Sequence, residues 1–259
     1  MTTFPPIHPS RRRSTIAVAL SVLTCLGLAS AEPKAGESAK IDADATAILK
    51  AMSAKLSAAK QFTLKGTRTI DTALTEGSEV KLTAKLESSV ARPNKIVASA
   101  SDSLSTRHFY YDGKNVTLHD SKANHYATVQ GADNIDKTID MIVKDWDFHP
   151  PLADLLVSDP YTSLSKNATG GKLVGTEEVS GVKCHHLVVT QEAIDWEVWI
   201  SAEDSLPRRF VITFNGIEGK PKLSAEITNW DLDPKLPASK FTFTAPKDAQ
   251  KIEMVPAGS

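Results

Sequence analysis

Between Glu32 and Ser259 the chain carries a single cysteine, Cys184, of the two in the sequence. An internal disulfide is therefore excluded from that region, and its stability has to come from a packed core. No run of about 18 apolar residues occurs after residue 31, so no later helix is expected to span a bilayer. Basic residues are not clustered: 30 Lys and Arg are interspersed with 31 Asp and Glu, which leaves no patch suited to a nucleic-acid backbone. There is no G-x-S-x-G, no phosphate loop and no dinucleotide fingerprint, so no cofactor is expected. Nor is any stretch rich enough in Gly, Ser or Pro to divide two domains.

What is present begins at the amino end. Arg11, Arg12 and Arg13 precede an apolar run from Ile16 to Leu28 that closes on Ala29-Ser30-Ala31. Positive charge, a short apolar stretch and small residues in that order predict a signal peptide over 1–31, cleaved before Glu32. The run is too short for a stable span, and the polar Glu32-Pro33-Lys34 that follows argues against an amino-terminal anchor. Lipidation at Cys25 is disfavoured by Thr24 before it, so Cys25 leaves with the signal. Cleavage removes three arginines and no acids, leaving 27 basic against 31 acidic residues, a net charge of −4. The expected compartment is the periplasm, and the expected product is not integral to the membrane.

Residues 32–40 read as a mobile spacer of small and charged residues. A helix follows, capped by Asp42 or Asp44, with Ile48, Leu49, Met52 and Leu56 on one stripe and Lys50, Lys55 and Lys60 facing water. From Phe62 the period changes to two. Phe62, Leu64, Gly66, Arg68 and Ile70 share one phase, and Val80, Leu82, Ala84, Leu86, Ser88 and Val90 share another, the pattern of half-buried antiparallel strands. Further strands are expected at 96–100, 107–111, 116–119 and 126–129. A second meander is expected at 172–179, 184–191, 196–201, 208–215, 223–230 and 241–244. Between them, residues 133–165 read as helical, with a break at Pro150-Pro151, and the apolar stretch 151–161 has to pack against the sheet.

About a dozen strands in one sheet must curl. The expected fold is therefore mainly β (α+β): a single domain over 41–259, built as a curled antiparallel half-barrel with helices covering its concave face. Such a shape encloses either a filled core or an apolar cavity. On patterning, Met52, Leu152, Leu155 and Leu156 belong to the cover side of a hydrophobic ligand site. Phe62, Leu64, Leu82, Leu86, Phe109, Tyr111, Trp196, Phe210, Ile212 and Phe214 belong to its sheet side, each also a natural core residue.

Catalytic chemistry has little to stand on. In Cys184-His185-His186 the first and third side chains share a strand face and the second opposes them, so the three cannot together bind a metal, and the thiol has no adjacent base. His108, His119, His125 and His149 lack helical metal-ligand spacing. Asp145, Asp147, Asp154 and Asp159 sit where helix starts and turns call for aspartate. No metal site and no enzyme activity is expected, a small exported hydrolase being the weakest reading.

Several stretches together resemble the bacterial family of predicted periplasmic proteins called domain of unknown function 2092. They are Phe109-Tyr-Tyr-Asp-Gly-Lys-Asn-Val-Thr-Leu118, Pro151-Leu-Ala-Asp-Leu-Leu-Val-Ser-Asp-Pro160, Gly181-Val-Lys-Cys-His-His-Leu187, Asp195-Trp-Glu-Val-Trp-Ile200 with Leu206-Pro-Arg-Arg209, and Lys235-Leu-Pro-x-x-x-Phe241. The family is similar in turn to the LolA/LolB lipoprotein carriers. That resemblance implies an unclosed half-barrel around a hydrophobic cavity, and relatives that bind acyl chains or lipids or that sense envelope stress. The expected partner is a hydrophobic small molecule or lipid, with an exported carrier or sensor as the function. The alternative is an envelope protein-interaction module with a filled core, for which Trp199, on the strand face opposite Trp196, Val198 and Ile200, is the candidate contact.

Overall fold

Asp42 starts the folded region: its side chain accepts a hydrogen bond from the Ala45 amide at 2.7 Å and so caps α1 (Ala43–Ala58). The computed structural model describes residues 41–75, 78–148, 150 and 152–254. The expected signal peptide and spacer, with His149 and Pro151, lie outside the described residues. Leu49, Met52 and Leu56 form the buried stripe of α1 while its lysines face outward.

Among the described residues, twelve strands make one continuous sheet. The first meander is β1 (Gln61–Thr75), β2 (Ser78–Ala91), β3 (Lys95–Ser101), β4 (Thr106–Tyr111), β5 (Asn115–Asp120) and β6 (His125–Gln130). Then come α2 (Ile135–Trp146), a 3-10 turn at Ala153–Leu155 and the short α3 (Pro160–Ser165). The second meander is β7 (Gly170–Val179), β8 (Val182–Thr190), β9 (Ile194–Ser201), β10 (Pro207–Phe214) and β11 (Lys222–Asp231), with β12 (Gln250–Lys251) returning to the far edge. The spatial order β12-β6-β5-β4-β3-β2-β1-β11-β10-β9-β8-β7 joins the meanders at β1 and β11 and leaves β7 and β12 as edges. The sheet is thus curled and unclosed, as the strand count requires.

The seam between the meanders depends on one glycine. At the β1/β11 register shift between Lys65 and Gly66, a Cβ on Gly66 would stand 2.1 Å from the Glu226 carbonyl oxygen. Only a residue without a side chain allows the two backbones that approach.

Two segments depart from the alternation pattern. Residues 241–244, expected as a strand, do not form one. A 3-10 turn covers Ala238–Phe241, and Phe243 then packs on Tyr110, His119 and Tyr126. Three ring contacts of Phe243 hold this segment without any ladder, so its apolar spacing imitates a strand. The parallel pairing of β12 with β6 involves only Gln250 and Lys251, too few residues to leave a period in the sequence.

The concave face is filled unequally. Leu49, Met52 and Leu56 of α1 share one core with Leu187, Val189, Trp196, Val198 and Phe210 of β8–β10. Each such side chain, fully removed from water, stabilises by about 1.5–3 kcal/mol. Over β2–β6 the covering elements are instead α2 and the chain around the 3-10 turn, and there the packing is incomplete.

Candidate functional site: an apolar cavity under a hydrogen-bonded cover

A cavity of about 500 Å³ lies between the first meander and its cover. Leu64, Leu86, Ile96, Ala98, Phe109 and Leu118 contribute from the sheet, and Ile139, Phe148, Leu152, Ala153 and Leu156 from the cover. None of its lining residues comes from α1 or from β7–β11. Strand register explains the lining: Ala98 pairs with Ser88 and Phe109, and Phe109 with Leu118, so one row of concave side chains crosses four strands. The small side chains at 98 and 100 leave the space that larger ones would fill. Phe109 and Phe148 face each other across it, with ring centroids 6.5 Å apart. Buried residues such as Leu64, Leu152 and Leu156 line one part of the cavity, and exposed ones, Arg107, Ala123, Ile252 and Glu253, line the other.

Hydrogen bonds add to apolar packing in holding the cover, whose Ile135, Ile142, Leu155 and Leu164 share the core of the sheet. Arg92 Nη1 donates to the Leu156 carbonyl at 3.0 Å, with its guanidinium carbon 5.6 Å from the Phe62 ring centroid. Ser57 Oγ donates to the Ser158 carbonyl at 2.7 Å, and the Ser158 amide donates to Asp136 Oδ1 at 2.9 Å. Asp159 caps α3 through the Thr162 amide and accepts from Ser53 Oγ at 3.1 Å, while Ser53 Oγ accepts from the Tyr161 amide. Leu152 enters the 3-10 turn at φ +60°, a conformation that costs a branched residue energy and that the surrounding contacts must enforce.

The residues expected at the ligand site divide in two. Leu64, Leu86, Phe109, Leu152 and Leu156 line the cavity. Met52, Phe62, Tyr111, Leu155, Trp196 and Phe210 are buried in the filled core instead. Tyr111 donates to the Ala132 carbonyl at 2.7 Å, Phe62 meets Trp230, and Trp196 stacks on Phe210. Ile212 and Phe214 are half-buried on β10, and Leu82, 41% exposed on the β1/β2 hairpin, lies clear of the cavity. Alternation assigns a strand face; which end of that face a helix fills is a matter of three-dimensional packing. Two lining residues had a readable signal that hydrophobic patterning passes over. Arg68 stands in the apolar phase of β1, and Arg107 is the second residue of β4.

On the convex face, Cys184-His185-His186 takes a structural form. His186 stacks on Trp199 at 4.1 Å, with Nδ1 3.0 Å from Glu177 Oε1 and Nε2 2.8 Å from Glu197 Oε2. The Trp199 indole donates to Glu177 Oε2 at 2.8 Å, which holds that carboxyl below its usual range, and Arg209 sits against the same indole. Trp199 is therefore only 6% exposed, and the expectation of an outward aromatic contact is corrected: neighbours on β8 and β10 cover it. Burial pushes the Cys184 thiol up, which removes nucleophilic character at neutral pH. Among the described residues, no group of three or more His, Cys, Asp or Glu is placed to hold a metal ion. Asp154 accepts from Ser163 Oγ, Asp147 closes α2 in the left-handed region, and Asp145 is exposed.

An open sheet, antiparallel except at β12, with a cover over an apolar cavity defines a hollow β protein of the half-barrel class. The chain belongs to the DUF2092 family of predicted periplasmic proteins, whose family model matches residues 45–255. No curated protein matches it. Among solved structures it is similar to MucB (15% identity, TM-score 0.45, covering 79% of this chain and 64% of MucB). It is also similar to LprF from Mycobacterium bovis (13%, TM-score 0.44, covering 81% and 99%). A third is the LolA superfamily protein NE2245 from Nitrosomonas europaea (9%, TM-score 0.36, covering 75% and 97%). The chain thus spans under two thirds of MucB. Among the described residues, no helix is long and apolar enough to cross a membrane.

Proposed function

We propose that this protein is an exported binding protein for a hydrophobic ligand, an acyl chain or lipid, which it carries or senses. The observation that supports this reading is the cavity of about 500 Å³ beneath a cover held by side-chain hydrogen bonds. Its volume falls in the range of pockets that enclose small ligands, and its walls are mainly aliphatic and aromatic. Leu64, Leu86, Phe109, Leu152 and Leu156 are the proposed contacts. Transfer of an acyl chain from water contributes about 0.8 kcal/mol per buried methylene. Ten methylenes supply on the order of 8 kcal/mol before ordering costs, enough for micromolar binding. Opening the cover at Arg92, Ser57 and Asp159 would admit the ligand, and closing it would exclude water.

Titration with a neutral naphthylamine probe, whose fluorescence rises in apolar surroundings, tests this. The wild type should take up one probe at micromolar concentration, and palmitate should release it. A chain that stays dark with the probe, and gains no thermal stability from lipids, would instead have the filled interior of an interaction module.

A further inference from the structure

We propose that the cavity selects amphiphiles with an anionic head, held by Arg68 and Arg107, while the tail runs to Phe109, Phe148 and Leu156; this deepens the carrier reading and rests on it. Arg68 projects from β1 on the same face as Leu64, and both arginines line the cavity. Arg68 Nε is sealed from solvent and has no hydrogen-bond partner among the described residues. A guanidinium nitrogen left in that state is destabilising, so the site gains from any ligand that supplies an acceptor. Burial and, next, the neighbouring Arg107 lower the pKa of Arg68, so the two cations stand close enough to repel.

The nearby carboxylates do not answer that need. Asp102 attracts Arg68, yet its Oδ1 is engaged by the Leu104 and Ser105 amides. Asp120 lies 3.6 Å from Arg107 Nε, and its Oδ1 accepts from the Lys122 and Ala123 amides. A carboxylate or phosphate at the cavity mouth would bridge the two guanidiniums, since arginine pairs bidentately with both. Arg107 is exposed and Leu156 buried, so a head at the arginines leaves the tail pointing inward.

Competition against the neutral probe tests this on the mature protein, using palmitate, cetyl phosphate and cetyl alcohol below their micellar concentrations, with butyrate and inorganic phosphate as tail-less anions. Palmitate and cetyl phosphate are expected to displace the probe at concentrations at least about tenfold lower than cetyl alcohol, as one charge-assisted bond implies. R68Q should narrow the gap between the two anions and the alcohol at least severalfold, and R68K should keep more of the preference than R68Q. Equal displacement by acid and alcohol in the wild type overturns the head-group assignment while leaving the carrier reading intact. So does a preference undiminished in R68Q. Displacement by butyrate or phosphate alone at the same concentrations would reveal a free-anion site and overturn the amphiphile. Failure of the probe to bind removes the carrier reading and this inference with it. If R68Q does not fold, the wild-type comparison of acid with alcohol decides.

Discussion

His186 lies flat against Trp199, 4.1 Å between ring centroids, and bridges Glu177 and Glu197 through its two nitrogens. The neighbouring side chains on β7, β8, β9 and β10 thereby form one lateral ladder on the convex face, ending at Arg209, which pairs with Glu226 on β11. H186A would uncover one face of the indole and remove its stacking partner, so it should cost about 0.5–1.5 kcal/mol. A denaturant midpoint that falls at constant slope checks this. No change would mean that the ladder contributes nothing beyond solvation.

Gly66 gives a sharper stability test. Because a methyl there meets the Glu226 carbonyl oxygen at 2.1 Å, G66A must push β1 and β11 apart at the seam between the meanders. The expected loss is about 1–3 kcal/mol or more. A G66A protein with wild-type stability would contradict the seam.

Acid should loosen the cover through Asp159. Hydrogen bonds, first from the Thr162 hydroxyl, then from the Thr162 amide and Ser53, hold its carboxyl below the usual 3.8. A carboxyl with a depressed folded pKa adds stability that is fully present above its unfolded pKa and lost as pH falls through the folded one. Probe release is therefore expected only below about pH 4, and the acid limb should be shallower in D159N. An unchanged limb would exclude Asp159 as the acid-sensitive tie.

Filling the cavity should block binding without unfolding the chain. Ala98 sits half-buried between Ser88 and Phe109 in the lining row. A98W should weaken the naphthylamine probe at least about tenfold, a loss of about 1.4 kcal/mol or more, while circular dichroism stays that of the wild type. Undiminished binding would place the ligand elsewhere.

Much of this was legible in the chain itself. Period-two alternation picks out nearly every strand, and Asp42 and the Leu49/Met52/Leu56 stripe announce α1, because these features are local. What alternation cannot reveal is which part of the concave face is filled: Trp196 and Phe210 lie in the core, while Phe109 is left facing a cavity. Trp199 misleads for the same reason. Its strand phase points outward, but His186 and Arg209, brought in by neighbouring strands, cover it. Arg68 was visible as a charge in an apolar phase, a signal that a search for hydrophobic positions discards.

The most direct test is native mass spectrometry of the mature protein, purified from a bacterial periplasm without detergent, paired with organic extraction. A single adduct that extracts as an acyl-chain amphiphile is the predicted result, and A98W should lack it. An unadducted mass that persists after incubation with lipids would contradict the carrier account and turn attention to the protein as an envelope interaction module.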